Sequence, residues 1–331
     1  MKTLESYAGV PHLKSDSSYN AALKRLSRST QNGTASSFGG FSALFDIGKL
    51  KLKDPLLVAT TDGVGTKLEI ANLQGKHDTI GQDLVAMCVN DLITCGAKPV
   101  FFLDYFASGA FNRRRTVEVV RGIANGCREA GCALVGGETA IMPGFYPGAK
   151  YDLAGFAVGV VEKSKVINGK SVRAGDLLIG LESSGFHSNG YSLLRKVFTQ
   201  KELAGKIGRE LLIPTHIYVK PVLALAKAGI LKAAAHITGG GFYDNLPRVI
   251  PSGLGTLIEK GSWPRTSLFD EVQKRARYSE RQMYHTFNMG IGMVAVVSPA
   301  QANQARQILN KLGMRSSVIG VIKKGNGVVI G

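Results

Sequence analysis

Acidic residues are scarce in this chain, 24 against 41 lysines and arginines. A carboxylate set among glycines or apolar residues therefore needs a reason. Asp62 follows an apolar strand in Thr60-Thr61-Asp62-Gly63-Val64-Gly65-Thr66-Lys67. Asp91 lies mid-helix in Ala86-Met87-Cys88-Val89-Asn90-Asp91-Leu92-Ile93. Glu138 follows a short strand in Leu134-Val135-Gly136-Gly137-Glu138-Thr139. Acids at the ends or edges of buried elements suit Mg²⁺, a hard cation that takes carboxylates together with phosphate oxygens. The expectation is that Asp62, Asp91 and Glu138 converge on such a metal. The plainer alternative has Asp62 capping a turn and Asp91 pairing with a buried lysine.

Glycine-rich loops supply a second signal. Ser183-Ser184-Gly185-Phe186-His187-Ser188-Asn189-Gly190 and Thr238-Gly239-Gly240-Gly241 each follow a strand and open a helix. Free N–H groups at a helix start, with small residues allowing close approach, favour anions. Phe38-Gly39-Gly40-Phe41 is a third flexible loop able to fold over a ligand. Tight turns also need glycine, so the loops carry weight only together with the acids. His187 has polar neighbours and little to pack against, which suits phosphate contact or proton transfer near neutral pH. There is no GxxxxGK[ST] and no GxGxxG after a strand, so a P-loop or Rossmann site is unsupported and any nucleotide must be held another way.

Elements must carry these residues to one place. Periodicity predicts a helix near 18–28, then strand 56–61, helix 79–95, strand 99–106, helix 116–130 and strands 132–135 and 151–161. The polar stretch 162–174 reads as a domain boundary. Beyond it come strand 176–181, helices 191–199 and 218–228, strand 236–238, helix 242–249, strands 255–258 and 292–297, helix 299–312 and strand 317–322. Both halves alternate strand and helix, consistent with two α/β or α+β domains and a pseudo-repeat. The expected division is a flexible segment 1–37, an N-terminal domain 38–165 and a C-terminal domain 166–331.

Composition agrees with this. A chain of 331 residues, 44% hydrophobic, accommodates two cored domains. Four cysteines are too few for a disulfide scaffold at this length and read as buried reduced thiols. The six histidines show no HxxxH or HExxH, against a zinc site. The net charge of +17 favours anionic partners, namely phosphorylated metabolites, nucleotides or nucleic acid. No zinc finger, RNP motif or basic heptad region accompanies it. No apolar run reaches a membrane span, and Met1–Tyr7 has no apolar core of a leader. A cytoplasmic protein without membrane contact is expected.

Taken in order, several segments resemble one known family. They are Asp62-Gly-Val-Gly-Thr-Lys67, His77-Asp-Thr-Ile-Gly81, Val85-Ala-Met-Cys-Val-Asn-Asp91 and Phe101-Phe-Leu-Asp-Tyr105, then Gly136-Gly-Glu-Thr139, His187-Ser-Asn-Gly-Tyr191, Thr238-Gly-Gly-Gly241 and Thr286-Phe-Asn288. From about Phe38 onward the chain resembles the phosphoribosylformylglycinamidine cyclo-ligase, or aminoimidazole ribonucleotide synthetase, family. The resemblance implies an N-terminal α/β domain whose sheet forms a barrel across a homodimer, a C-terminal α+β domain, and an active site in the cleft between them. It implies ATP and Mg²⁺, phosphorylation of the substrate's formyl oxygen, and ring closure by the substrate's own nitrogen.

Carried over motif by motif, Asp62, Asp91 and Glu138 would serve Mg²⁺–ATP. Gly63, Gly65, Thr66 and Asn90 would lie beside the nucleotide, and Lys67 would contact phosphate in a catalytic role with His187 and Asp91. Ser188 and Asn189 would face the substrate. Gly239, Gly240 and Gly241 would hold a phosphate, with Asp244 orienting their loop, and Gly39 and Gly40 would cover ATP. The chain departs from the family at Pro11, at Ser27 where a lysine is usual, and at Ile141 where a glutamate is usual. These changes bear on the N-terminal ATP contacts. The rivals are a related ATP-using enzyme, such as a thiamine monophosphate kinase or selenophosphate synthetase, and a non-catalytic nucleic-acid binder. The intact acids and His187 argue against the binder.

Overall fold

The computed structural model describes residues 16–30, 41–148 and 150–331. Helix α1 (Ser17–Arg28) is started by Asp16, whose carboxylate accepts from Tyr19 N at 2.9 Å. Strand β1 (Pro55–Gly63) leads to helices α2 (Lys67–Gln74) and α3 (Ile80–Leu92). Strand β2 (Lys98–Ser108), helix α4 (Arg113–Ala130) and strand β3 (Ala133–Ile141) form a parallel crossover unit, and β4 (Tyr151–Glu162) closes the sheet. Its strand order is β1-β4-β2-β3, with β4 antiparallel to both neighbours.

One face of this sheet is covered. Ile80, Leu84, Cys88 and Leu92 recur every four residues on α3 and are fully buried, the stripe a sheet-packing helix needs. Helix α4 crosses α3 at Gly81 and Gly122. A Cβ on Gly81 would strike the backbone of Val119 and Ile123, so glycine is required for the close approach. The opposite face is open: Leu57 is 67% exposed and Phe156 44%. The segment 56–61, read as a buried strand, is therefore buried on one side only. The sheet is a half-barrel with an apolar open face.

The second sheet is built from β5 (Leu177–Glu182), β6 (Ala233–His236), β7 (Leu254–Ile258), β8 (Ile291–Val297), β9 (Ser316–Lys324) and β10 (Val328–Ile330), in the order β10-β7-β9-β5-β8-β6. Strand β8 is buried at every position, as its unbroken apolar run requires. The connecting helices are α5 (Tyr191–Val197), α6 (Gln200–Ala204), α7 (Lys206–Leu211), α8 (Val219–Lys227), α9 (Gly241–Asn245), α10 (Leu268–Ala276), α11 (Glu280–Thr286) and α12 (Ala302–Lys311). The two sheets differ in strand number and order, so the alternation seen in the sequence is not a duplicated topology.

The helix expected near 18–28 is present as Ser17–Arg28 and packs on α4 and β3. Two other expectations shift. Strand β3 is nine residues long and contains Glu138 instead of ending before it. Among the described residues the cysteines are free, and Cys95 is only half-buried.

Candidate functional site

Asp62 and Asp91 meet where the two sheets adjoin. Thr60 Oγ1 donates to Cys88 O at 2.9 Å, which fixes the α3-facing side of β1. Asp62, two residues on, shares that side. Its carboxylate accepts from Gly63 N at 2.7 Å. Burial raises its pKa, and the neighbouring Asp91 adds to the rise. Asp91 Oδ1 lies 2.8 Å from His236 Nδ1. His236 ends β6 and is buried, with Nε2 lacking a protein partner among the described residues. With Asp91 ionised, Nδ1–H donates to it and Nε2 presents a lone pair. The carboxylate–imidazole pair thus spans the two sheets.

His236 was missed by sequence reasoning. It closes the run Ala233-Ala234-Ala235 directly before Ile237-Thr238-Gly239-Gly240-Gly241. A histidine ending a small-residue strand at a glycine loop was the available signal.

His187 is in its expected loop but not in the expected setting. It is buried, with φ of 57°. Its ring packs against Tyr218 and lies beside Gly292, where a Cβ would strike it. Ser184 N donates to Nε2 at 3.2 Å, leaving the proton on Nδ1, which has no partner among the described residues. Burial holds the ring's pKa well below the ordinary value, with His236, His216 and Lys67 adding to the effect. A neutral ring cannot counter phosphate charge, so His187 is placed to donate Nδ1–H. His216, exposed at the cleft and not anticipated, stands edge-on to His187 at 6.5 Å between centroids.

Lys67 overturns its expected role. Its ammonium is completely buried and gives its three protons to Asp83 Oδ1 at 2.9 Å, His187 O at 2.8 Å and Ile213 O at 2.9 Å. No proton remains for a phosphate. Ser188 is also turned inward, its hydroxyl donating to Asp83 Oδ1 at 3.2 Å. Asn90 is buried and clamps the backbone of the second half: Nδ2 donates to His216 O and Oδ1 accepts from Tyr218 N, both at 2.8 Å. It is therefore not in contact with a nucleotide. The buried partner of a lysine is Asp83, whereas Asp91 pairs with histidine.

Glu138 does not join Asp62 and Asp91. The β2–β3 register slips between Phe102 and Leu103, which puts Glu138 opposite Tyr105 on the open face. Thr139, on the other side, meets Tyr19 of α1 at 3.2 Å. Three strand spacings separate β1 from β3, roughly 14 Å. Among the described residues no three His, Cys, Asp or Glu side chains gather into a metal site. Two carboxylates are nevertheless enough for Mg²⁺ when nucleotide phosphates supply further oxygens. Asp91 lies close enough to Asp62 to raise the cost of ionising it, and Asp91 keeps a partly exposed carboxylate. That donor set fits Mg²⁺.

Asn189 and Gly239 approach each other across the cleft: a Cβ on Gly239 would lie 3.5 Å from Asn189 Oδ1. The glycines beyond answer to local packing. Gly240 and Gly241 have positive φ, and a Cβ on either would strike Asp244 or Tyr284 O. The helix they open has five residues, too short to concentrate a dipole. Asn245 Nδ2 holds the loop through Gly239 O and Gly241 O, the task expected of Asp244, whose carboxylate pairs with His285 at 3.1 Å. Gly65 and Thr66 are exposed at the start of α2, and Gly63 is half-buried at the end of β1. Gly39, Gly40 and Pro11 lie outside the described residues.

Ser27 is buried and donates to Leu134 O at 2.8 Å, a setting with no room for a solvated ammonium. Ile141 ends β3 opposite Ser108. Between α1, α4 and β3 is a cavity of about 40 Å³ lined by Leu23, Val120, Leu134, Gly136, Gly137 and Asp104. Burial pushes the Asp104 carboxyl up to about 7. Its oxygen lies across Gly137, where a Cβ would collide with it.

Comparison with known proteins adds two family matches: AIR synthase related protein, N-terminal domain, over residues 44–161, and its C-terminal domain over residues 173–331. The chain is 49% identical to phosphoribosylformylglycinamidine cyclo-ligase of Shouchella clausii, covering 98% of this chain and 97% of that one. It is 54% identical to the protein of that name from Thermoanaerobacter pseudethanolicus, covering 88% and 89%. Among solved structures, E. coli HypE superposes with a TM-score of 0.70 at 18% identity, covering 94% of this chain and 92% of that one. Thiamine-monophosphate kinase from Stenotrophomonas maltophilia gives 0.66 at 17% identity, covering 93% and 95%. These distant structures share the fold.

Proposed function

Because the chain belongs to the phosphoribosylformylglycinamidine cyclo-ligase family, we propose that the cleft holding Asp62, Asp91 and His236 is where its ring closure takes place. The protein is an ATP-dependent cyclo-ligase of purine biosynthesis, closing formylglycinamidine ribonucleotide to aminoimidazole ribonucleotide. In this reading the γ-phosphoryl group passes from ATP to the formyl oxygen, with ADP leaving. The ribose-bearing amidine nitrogen then attacks the formyl carbon. The carbon–oxygen bond breaks, phosphate departs with the electron pair, and the nitrogen loses its proton.

Asp62 and the free oxygen of Asp91 would hold Mg²⁺, which neutralises charge on the phosphates when bound. His236 Nε2 takes the proton from the attacking nitrogen, and Asp91 steadies the imidazolium that forms. His187 donates Nδ1–H toward an oxygen of the substrate. Asn189 and the Gly239 backbone line the opposite wall. Gly63, Gly65 and Thr66 meet the nucleotide, while the open face of the first sheet, which carries Glu138, is turned away from it. That face suits a second copy of the chain, the two half-barrels closing into one and making a homodimer. Phosphorylated small molecules and this second copy are the partners, with no role for nucleic acid. No described helix is long and apolar enough to cross a membrane, and a metabolic enzyme of this pathway belongs in the cytoplasm.

The observation carrying this reading is the Asp91–His236 contact beside Asp62. The test is conversion of formylglycinamidine ribonucleotide with Mg²⁺ and ATP, following ADP and the aminoimidazole together. Both products are expected. Asp62→Asn should abolish both while the protein stays folded, since a half-buried acid at a strand end is not core packing. ADP without the ring, or a fully active Asp62→Asn protein, would overturn the assignment.

A further inference from the structure

The buried ammonium of Lys67 is fixed entirely by the protein, and what it binds is informative. Lys67 and Asp83 stand on α2 and α3, beneath the first sheet. Two of the three groups that Lys67 reaches are backbone carbonyls of the other half, His187 O and Ile213 O. Asp83 Oδ1 accepts in addition from Thr215 N at 2.8 Å, Thr215 Oγ1 at 2.6 Å and Ser188 Oγ at 3.2 Å. The pair therefore grips two loops, 183–190 and 212–218, that bring His187 and His216 to the cleft. His187 is held in the left-handed region, which a side chain with a Cβ resists. Its carbonyl is pinned by Lys67 Nζ and by Tyr191 Oη at 3.0 Å, so the conformation is imposed from outside the loop.

The same helix carries the reacting acid. Asp83 and Asn90 are seven residues apart on α3, two turns along one face, and Asn90 grips His216 O and Tyr218 N. Asp91 is the next residue. One rigid rod thus sets the spacing between the loop anchors and the carboxylate that holds His236.

We propose that Lys67 and Asp83 act as positioning residues, registering the His187 and Thr215–His216 loops against Asp91 and His236 so that they govern turnover and not nucleotide affinity. The inference rests on the cleft being the cyclo-ligase site. A purely stabilising ion pair would be replaceable by apolar side chains of similar size, often without loss of stability. A positioning pair would not, because a displacement of about 1 Å at reacting groups costs on the order of 10²-fold in rate.

The decisive experiment compares wild type with Lys67→Met/Asp83→Leu. Thermal melting, kcat, ATP affinity and hydrogen exchange of segments 184–190 and 213–218 are measured for both. The expected result is a folded double variant with kcat lowered about 10²-fold, ATP Kd within about threefold and faster exchange in the two loops. Wild-type kcat and exchange in the folded double variant would reduce the pair to a stabilising element and overturn the proposal. An ATP affinity that falls in step with kcat would do the same by moving its action to the nucleotide. Should the double variant not fold, Thr215→Val and Ser188→Ala keep the ion pair and remove single bonds to Asp83. Lowered kcat with faster loop exchange in these variants supports the proposal, and wild-type values in both refute it. Failure of the cyclo-ligase reading is recognised separately, because wild type itself would then make no aminoimidazole while the exchange data still report on the loops.

Discussion

Replacing Asp104 by asparagine isolates the energetic effect of one buried acid. Its carboxyl is buried and pushed from 3.8 up to about 7, first by burial and then by the nearby charge of Glu138. The unfolded chain releases this proton near pH 4 and the folded protein only near pH 7. Between those values the native state binds more protons than the unfolded one, so stability falls as pH rises. Integrating from pH 5 to pH 8 gives a loss of roughly 2.5 kcal/mol from this group alone. Above about pH 8 the loss is complete and the contribution is flat. In Asp104→Asn the amide fills the same space beside Gly137 without a titrating proton. Urea denaturation of both proteins at pH 5, 6, 7 and 8 gives the difference in unfolding free energy directly. The variant should gain on wild type by roughly 2.5 kcal/mol across that range, with most of the gain below pH 7. Parallel profiles would mean that Asp104 is neutralised some other way, and the account of its burial would be wrong.

Three further outcomes follow from the geometry. His236→Ala should lower kcat by about 10²–10³-fold while ATP affinity, read by calorimetry, stays near wild type; an affinity defect alone would place the ring on the nucleotide. Ser27→Lys should destabilise the protein by roughly 2–4 kcal/mol, because it forces an ammonium into the site where Ser27 meets Leu134 O; a melting temperature equal to wild type would show that the position is open to solvent. Leu57→Lys combined with Phe156→Glu should shift a dimer to monomer in light scattering by charging the open face of the first sheet; an unchanged mass would place the interface elsewhere.

Acids in the wrong company were legible in the sequence. Asp62 and Asp91 stood out because a carboxylate among apolar neighbours needs a partner, and both reach the junction between the sheets. The direction of a side chain was harder to read. Lys67 lies among glycines that invite a phosphate, but α2 turns its stem inward toward Asp83, sixteen residues on in sequence. Asn90 and Ser188, expected at ligands, were taken by contacts between the two halves, which local patterns do not reveal. Glu138 was misplaced because strand order is not local: β3 ends up three strands from β1, and the slip at Phe102 turns Glu138 to the open face. His236 was hidden because strand β6 has only four residues and alanines give no amphipathic signal. The alternation of strand and helix was legible, whereas strand order was not, since pairing is decided by contacts between distant segments.

The grip of α3 on the loops beyond residue 183 also bears on how this chain can be divided. Expressed alone, a fragment holding the second sheet would leave Ile213 O and Thr215 N without their partners and His187 O with only Tyr191 Oη. The first fragment would expose a lysine and an aspartate that are wholly enclosed in the intact protein. Each piece would present a polar socket shaped for the other, which makes the polypeptide suited to split-protein complementation. Fragments cut within the polar stretch 162–174 should reassemble selectively, with the Lys67–Asp83 pair as the recognition element that rejects mismatched halves.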